Sequence, residues 1–214
     1  MIVKTFPVGA FQCNCTILGD PSTGEAMVID PGDEADKILK VLAELKLTAK
    51  YLLHTHAHLD HIGATRKVKE KNGGTIGLHK EDLFLYENMK MQGEFLGMQV
   101  KDDPLPVDHY LVQGDVIEWG RQRRIQVLHT PGHTPGSLCF FNKSDDSKEE
   151  MLFAGDTLFM GSIGRTDLWG GDYDLILSSI KTRLLNLSDT VQVVCGHGPM
   201  TTIGRERRAN PFLQ

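Results

Sequence analysis

Thr55-His56-Ala57-His58-Leu59-Asp60-His61 places four potential metal ligands within six residues, directly behind the apolar run Tyr51-Leu52-Leu53. That spacing rules out a helix here. Residues two apart on an α-helix point to roughly opposite sides, at about 100° per residue, so His56 and His58 cannot face one ion from a regular helix. A helical zinc pair stands four apart instead. An extended or looped backbone puts His56, His58 and Asp60 on one side, and a turn at Asp60-His61 adds a fourth group. The chain must therefore carry a strand ending near Leu53 with a ligand loop beyond it. Asp60 is placed to begin a helix continuing over residues 64–71. Histidine makes up 9 of 214 residues, so a cluster this dense is not the composition of an ordinary polar turn.

Around this loop the patterning alternates between periods of two and 3.6. Strands are expected over 2–6, 15–18 and 26–30, with a turn at Asp20-Pro21-Ser22-Thr23-Gly24. A helix is expected over 34–46, where Ile38, Leu42 and Leu45 recur among Lys and Glu. Another strand falls at 75–79, then a helix at 81–96, and a polar, proline-containing connection at 101–106 to which no chemistry is assigned. The second half reads as strands at 116–119, 124–128, 137–141 and 151–154. A glycine-rich stretch without periodicity follows at 161–173, then a helix at 175–187 and a buried strand at 191–195. This order predicts an α/β layered fold, and the length suits one domain over 1–214.

Composition narrows the function. The formal charge is -5 with no large basic block, which argues against a nucleic-acid partner. Asp145, Asp146, Glu149 and Glu150 read as a solvated loop. No run approaches the roughly 18 apolar residues of a membrane span, and the start lacks the pattern of a signal peptide. Cys13, Cys15, Cys139 and Cys195 are irregularly spaced and read as reduced thiols of a cytoplasmic protein, the last two as core residues.

Three more positions share the grammar of the opening loop, a polar ligand just past an apolar strand. His129-Thr130-Pro131-Gly132-His133-Thr134 follows 125–128, Gly155-Asp156-Thr157 follows 151–154, and Gly196-His197-Gly198 follows 191–195. Loops at strand ends carry the site in layered α/β folds, so these should converge on one rim. His56, His58, Asp60, His61, His133, Asp156 and His197 are too many donors for one zinc, which takes about four. Two ions fit if a carboxylate and a hydroxide lie between them. His54 and His129 are expected to be structural, His79 and His109 show no partner pattern, and Thr55, Thr130, Thr134 and Thr157 flank ligands that need orienting.

T-H-A-H-L-D-H, H-T-P-G-H-T, Gly155-Asp156 and C-G-H-G together resemble the metallo-β-lactamase superfamily over nearly the whole chain. The resemblance implies an αββα sandwich with a binuclear site along one edge of the sheets. It implies His56, His58 and His133 at one ion, Asp60, His61 and His197 at the other, and Asp156 bridging. Two divalent ions are expected, zinc in the first place, with iron or manganese as alternatives. Such ions lower the pKa of a shared water toward about 7 and polarise a carbonyl, so no serine or cysteine nucleophile is required. Asp60 and Asp156 are the catalytic candidates.

The leaving group points to a substrate. A thiol with a pKa near 8.5 departs without a general acid, whereas an amine must be protonated, and no such acid is evident. The chain is similar to single-domain relatives of glyoxalase II, which implies hydrolysis of S-D-lactoylglutathione or a related acyl-thioester, with a glutathione conjugate as small-molecule partner. Two-domain members continue into a helical glutathione-binding domain, but only 17 residues follow His197. Their C-G-H-E-Y is here Cys195-Gly196-His197-Gly198-Pro199, without the tyrosine. Their loop lysine and tyrosine align with Arg165 and Asp167, so Arg165 is the substrate-binding candidate, with a loop-bracing pair to Asp167 as its other reading. Gly164-Arg165-Thr166-Asp167 is also similar to persulfide dioxygenases of this fold, which implies the alternative of one iron on His56, His133 and Asp156. A closed, non-catalytic metal module is the remaining alternative.

Overall fold

Alternating side-chain direction along each strand sorts the apolar residues onto two faces and so dictates the layering. In a computed structural model, which describes residues 1–143 and 150–214, β1 (Ile2–Val8), β2 (Cys13–Asp20), β3 (Glu25–Ile29), β4 (Thr48–Leu53), β5 (Thr75–Leu78) and β6 (His109–Tyr110) form one sheet in that order. Asp145, Asp146 and Glu149 of the expected solvated loop lie outside the described residues. The second sheet runs β14 (Thr201–Thr202), β13 (Gln192–Cys195), β10 (Met151–Gly155), β9 (Leu138–Asn142), β8 (Arg123–His129) and β7 (Val116–Trp119).

The sheets meet through Leu18, Met27, Ile29 and Leu53 on one side and Ile125, Val127, Phe140, Phe153 and Val194 on the other. The alternate residues Ile17, Val28 and Leu52 turn outward, under a helical layer that contributes Ile38 and Leu42 from α1 (Ala35–Glu44), Leu59 and Ile62 from α2 (Leu59–Ile62) and Val68 from α3 (Thr65–Asn72). Across the molecule, Cys139, Leu152 and Val193 pack beneath Ile176 of α6 (Tyr173–Ser179), Ile180 and Leu184 of the π-helical turn Ile180–Leu184, and Ile203 of α7 (Ile203–Ala209). Period-two alternation thus builds four layers, helix-sheet-sheet-helix. Cys13, Cys15, Cys139 and Cys195 are all free and buried. Among the described residues no helix is long and apolar enough to cross a membrane.

Several expected elements have different bounds, each for a local reason. The helix expected over 34–46 is shorter, because Glu34 and Lys46 take left-handed backbone angles at φ 48° and 56°. The single helix expected over 81–96 is broken into a 3-10 turn (Lys80–Asp82), α4 (Leu83–Tyr86) and α5 (Met89–Leu96). Here the Asn88 amide turns back to the Phe84 carbonyl oxygen at 2.7 Å, and Gly97 at φ 68° ends α5. The helix expected at 175–187 begins earlier, because the Asp172 carboxylate accepts from Leu175 N at 2.9 Å and caps it. Within the aperiodic stretch 161–173, Ser162–Ile163 (β12) pairs with Leu158–Phe159 (β11). Neither α7, capped by the Thr202 hydroxyl, nor β6 was expected.

Candidate metal centre

The strands that matter end on the same edge. β3 and β4 run parallel, as do β10 and β13, so the residues just past them emerge side by side. His56 Nε2, His58 Nδ1 and His133 Nε2 lie 3.0 to 3.2 Å from one another. Asp60 Oδ2, His61 Nε2 and His197 Nε2 form a second group, with His61 to His197 at 3.2 Å, His197 to Asp60 at 3.1 Å and His61 to Asp60 at 3.6 Å. Asp156 stands between them: Oδ1 is 3.4 Å from His61 Nε2, and Oδ2 is 3.7 Å from His133 Nε2 and 3.6 Å from His197 Nε2. All seven residues singled out from the sequence come together, in two sets of three with one carboxylate between.

The outward nitrogens show what the inward ones must be. His133 Nδ1 donates to the Arg165 carbonyl oxygen at 2.8 Å, His197 Nδ1 to the Phe11 carbonyl oxygen at 2.9 Å, and His61 Nδ1 faces Asp30 Oδ2 at 3.0 Å. Each ring is thereby committed to an N–H on its outer side, so in the neutral form it directs a lone pair inward. His61 and His197 thus turn lone pairs toward each other across 3.2 Å, which repel unless a cation lies between them. Asp156 Oδ1 is also buried without a hydrogen-bond partner, which otherwise costs about 1–3 kcal/mol. The donor set of imidazoles and carboxylates suits zinc or iron.

The electrostatics agree. Burial, with the neighbouring His61 and His133, pulls the His56 imidazole well below the ordinary histidine value, and burial lowers His133 too. Burial acts the same way on His61, but Cys13, Asp60, Asp156 and Asp30 together outweigh it and raise that imidazole. Burial opposes ionisation of Asp60, yet His61 and His197 outweigh it and hold the carboxyl below the usual carboxylate range. The rim thus couples an ionised Asp60 to His61 and His197 on one side and keeps His56 and His133 as neutral donors on the other.

Several neighbours were not singled out from the sequence. Asp30 accepts from Thr55 N at 2.8 Å and from the Thr55 hydroxyl at 2.7 Å while facing His61. It follows the apolar strand β3 just as each ligand follows its strand, so the same grammar would have found it. Cys13 Sγ sits 3.5 Å from His61 Nδ1. The Asn14 side-chain amide donates to Cys195 O and Gly198 O, both at 3.0 Å, fastening the His197 turn to the opposite sheet. A Cβ on Gly196 would come within 2.1 Å of Asp156 Oδ1. Trp169 packs on His58 with ring centroids 5.9 Å apart, and Phe95 packs on Trp169 at 5.1 Å, giving the mouth one aromatic wall.

The other histidines stay outside. His54 is buried beside the Thr65 hydroxyl at 3.3 Å, and His129 Nε2 donates to the Pro135 carbonyl oxygen at 2.9 Å. His79 does have a partner, contrary to expectation: it stacks on His129 at 4.1 Å with the rings 16° from parallel. Parallel rings cannot both hold one ion in plane. His109 is exposed in β6. Thr130 and Thr157 share a hydroxyl contact at 3.0 Å beneath the His133 and Asp156 loops. Arg165 forms a two-pronged pair with Asp167, Nε to Oδ1 at 2.7 Å and Nη2 to Oδ2 at 2.8 Å, both exposed.

The fold and this rim define a metallo-hydrolase of a single superfamily. The sequence profile of the Metallo-beta-lactamase superfamily matches residues 8–197, and the chain belongs to it. The chain is 41% identical over 214 residues to the hydroxyacylglutathione hydrolase GloC of Haemophilus influenzae, covering 100% of this chain and 98% of that protein. It is similar to the crystal structure of the BLEG-1 B3 metallo-beta-lactamase, with a TM-score of 0.90 at 37% identity over 99% of both chains. It is also similar to the crystal structure of TTHA1623 in a di-iron-bound form, with a TM-score of 0.86 at 39% identity over 97% of this chain and 98% of that one.

Proposed function

We propose that the protein is a two-metal thioesterase that hydrolyses S-D-lactoylglutathione or a related glutathione thioester. The observation that carries this reading is the double triad with Asp156 between its halves. His56, His58 and His133 would hold one ion, Asp60, His61 and His197 the other, with Asp156 shared. When bound, the ions supply a hydroxide nucleophile at neutral pH and Lewis-acid polarisation of the carbonyl. Zinc is the first choice of metal; the di-iron form of TTHA1623 makes iron the alternative to measure alongside it, with manganese.

The chain's own groups do the rest. Asp60, held ionised, accepts a hydrogen bond and so orients the attacking water. The outer contacts from Asp30, Phe11 and Arg165 keep the imidazoles aimed while charge builds on the substrate. Among the described residues at the rim no group is placed to protonate an amine. A thiolate, with a parent pKa near 8.5, leaves unaided, and this favours a thioester over an amide. Arg165 is assigned to a carboxylate of the glutathionyl group, exchanging Asp167 for substrate. The hydroxyacylglutathione hydrolase of H. influenzae supports the choice of carrier, and the free buried thiols support a reducing, cytoplasmic setting.

A thioester panel assayed on protein of measured metal content tests the reading. The expected result is two ions per chain and fastest turnover of S-D-lactoylglutathione. Asp60→Ala and His61→Ala should abolish hydrolysis and empty one ion site more than the other. One iron per chain with persulfide-dependent oxygen uptake would overturn it.

A further inference from the structure

Two buried side chains from the broken helical segment between β5 and β6 reach behind the ligand loops, and the proposed chemistry does not use them. Asp82 and Gln92 are both fully buried. Asp82 Oδ2 accepts from Ala57 N at 2.9 Å and from the Thr134 hydroxyl at 2.8 Å, while Oδ1 accepts from Gly136 N at 2.6 Å. Gln92 Oε1 accepts from Leu59 N at 3.0 Å, and its amide donates to Ala57 O and Leu85 O, both at 2.9 Å.

These contacts fall at particular places. Ala57 lies between His56 and His58, Leu59 lies between His58 and Asp60, and Thr134 adjoins His133. The backbone groups turned away from the ions are therefore the ones held from behind. The partners of Asp82 are all neutral groups, and burial pushes its carboxyl up to about 6 against their hydrogen bonds. A buried carboxylate without a cation is unfavourable, and well-packed apolar side chains would fill the space at lower cost. What an apolar residue cannot do is join the 56–58 bend to the 133–136 turn. In the other triad His197 is held by the Phe11 carbonyl and His61 by Asp30, which also accepts from the backbone and hydroxyl of Thr55 beside His56.

We infer that Asp82, assisted by Gln92, is a positioning residue for one ion: it pre-sets the His56, His58 and His133 donors before metal arrives. The inference rests on the two-metal reading above. Groups that orient ligands from behind change metal affinity by about 10- to 100-fold when removed. Asp82→Asn keeps the volume but turns an NH2 toward groups that donate, so at least one of three backbone or hydroxyl donors loses its acceptor. Thr134→Val removes the hydroxyl contact to Asp82, together with that to the Ser137 hydroxyl at 2.8 Å, and leaves both backbone contacts of Asp82 in place.

The test is stepwise zinc dissociation by chelator competition on the full chain, with circular dichroism to establish folding. In Asp82→Asn one dissociation constant should rise about 10- to 100-fold and the other should stay within about twofold. Thr134→Val should move the same constant by less. If Asp82→Asn fails to fold, Thr134→Val decides the matter. Folded variants that bind both ions as tightly as the unmodified chain, or that weaken both equally, would overturn the inference. An unmodified chain that binds fewer than two ions would instead overturn the two-metal reading, so the two failures are distinguishable.

Discussion

At the scale of single residues, the site depends on side chains that are absent as much as on those present. Gly196 lets the β13 turn pass against Asp156, where a methyl group would stand 2.1 Å from Oδ1. Gly196→Ala should displace that carboxylate and cost about 100-fold in kcat/KM. Overpacking of about 1–3 kcal/mol should also show in thermal denaturation; kinetics within a fewfold of the unmodified chain would mean the turn yields instead. Arg165 supports a different prediction. Its fork is held by Asp167 in the free protein, so Arg165→Ala should raise KM for a glutathione thioester more than it lowers kcat. Asp167→Ala should lower KM by freeing the fork. Both follow from steady-state kinetics, and an unchanged KM in Arg165→Ala would leave that arginine a loop brace.

At the scale of elements, what is stable and what is functional are separated in space. Helix α1 packs Ile38 and Leu42 against the outer face of the first sheet, far in function from the rim where the ligands emerge. Leu42→Ala should cost about 3 kcal/mol by cavity formation, about 6–12 °C in melting temperature for a chain of this length, with kcat unchanged at temperatures where the variant is folded. The elements read best from sequence were those with one job. Strands buried on both faces and α1 with its single stripe stood where expected. The 81–96 segment did not, because the Asn88 amide closes back on the Phe84 carbonyl and splits the helix in two. Periodicity records which face a residue buries, not which distant backbone group it bonds.

For the whole molecule, the sandwich is closed at both ends by polar contacts, the metal rim at one and Asp20 at the other. Asp20 accepts from Arg121 N at 2.7 Å, the Ser22 hydroxyl at 2.7 Å and Arg123 Nε at 3.2 Å, tying the β2–β3 turn to the β7–β8 turn. The Arg121 and Ser22 hydrogen bonds hold its carboxyl below the usual range. A depressed folded-state pKa contributes stability that is present above the unfolded value near 3.9 and is lost as pH falls through the folded one. Melting temperature followed from pH 7 to 2 should therefore drop more steeply below about pH 4 in the unmodified chain than in Asp20→Asn. Parallel profiles would place the acid sensitivity elsewhere.

The sequence by itself determined the fold class and the candidate donors, because both are written locally. Alternation of period two builds the sheets, and polar donors in the loop just beyond an apolar strand must emerge at its end. Only the tertiary structure decided which donors stand together, that Asp30, Asp82 and Gln92 hydrogen-bond to the donors or their loops, and that Arg165 is engaged by Asp167. Ala57 meets Asp82 across 25 residues and Gly136 meets it across 54. Hydrogen bonds at such separations form after the layers pack, and they leave no periodic trace in the chain.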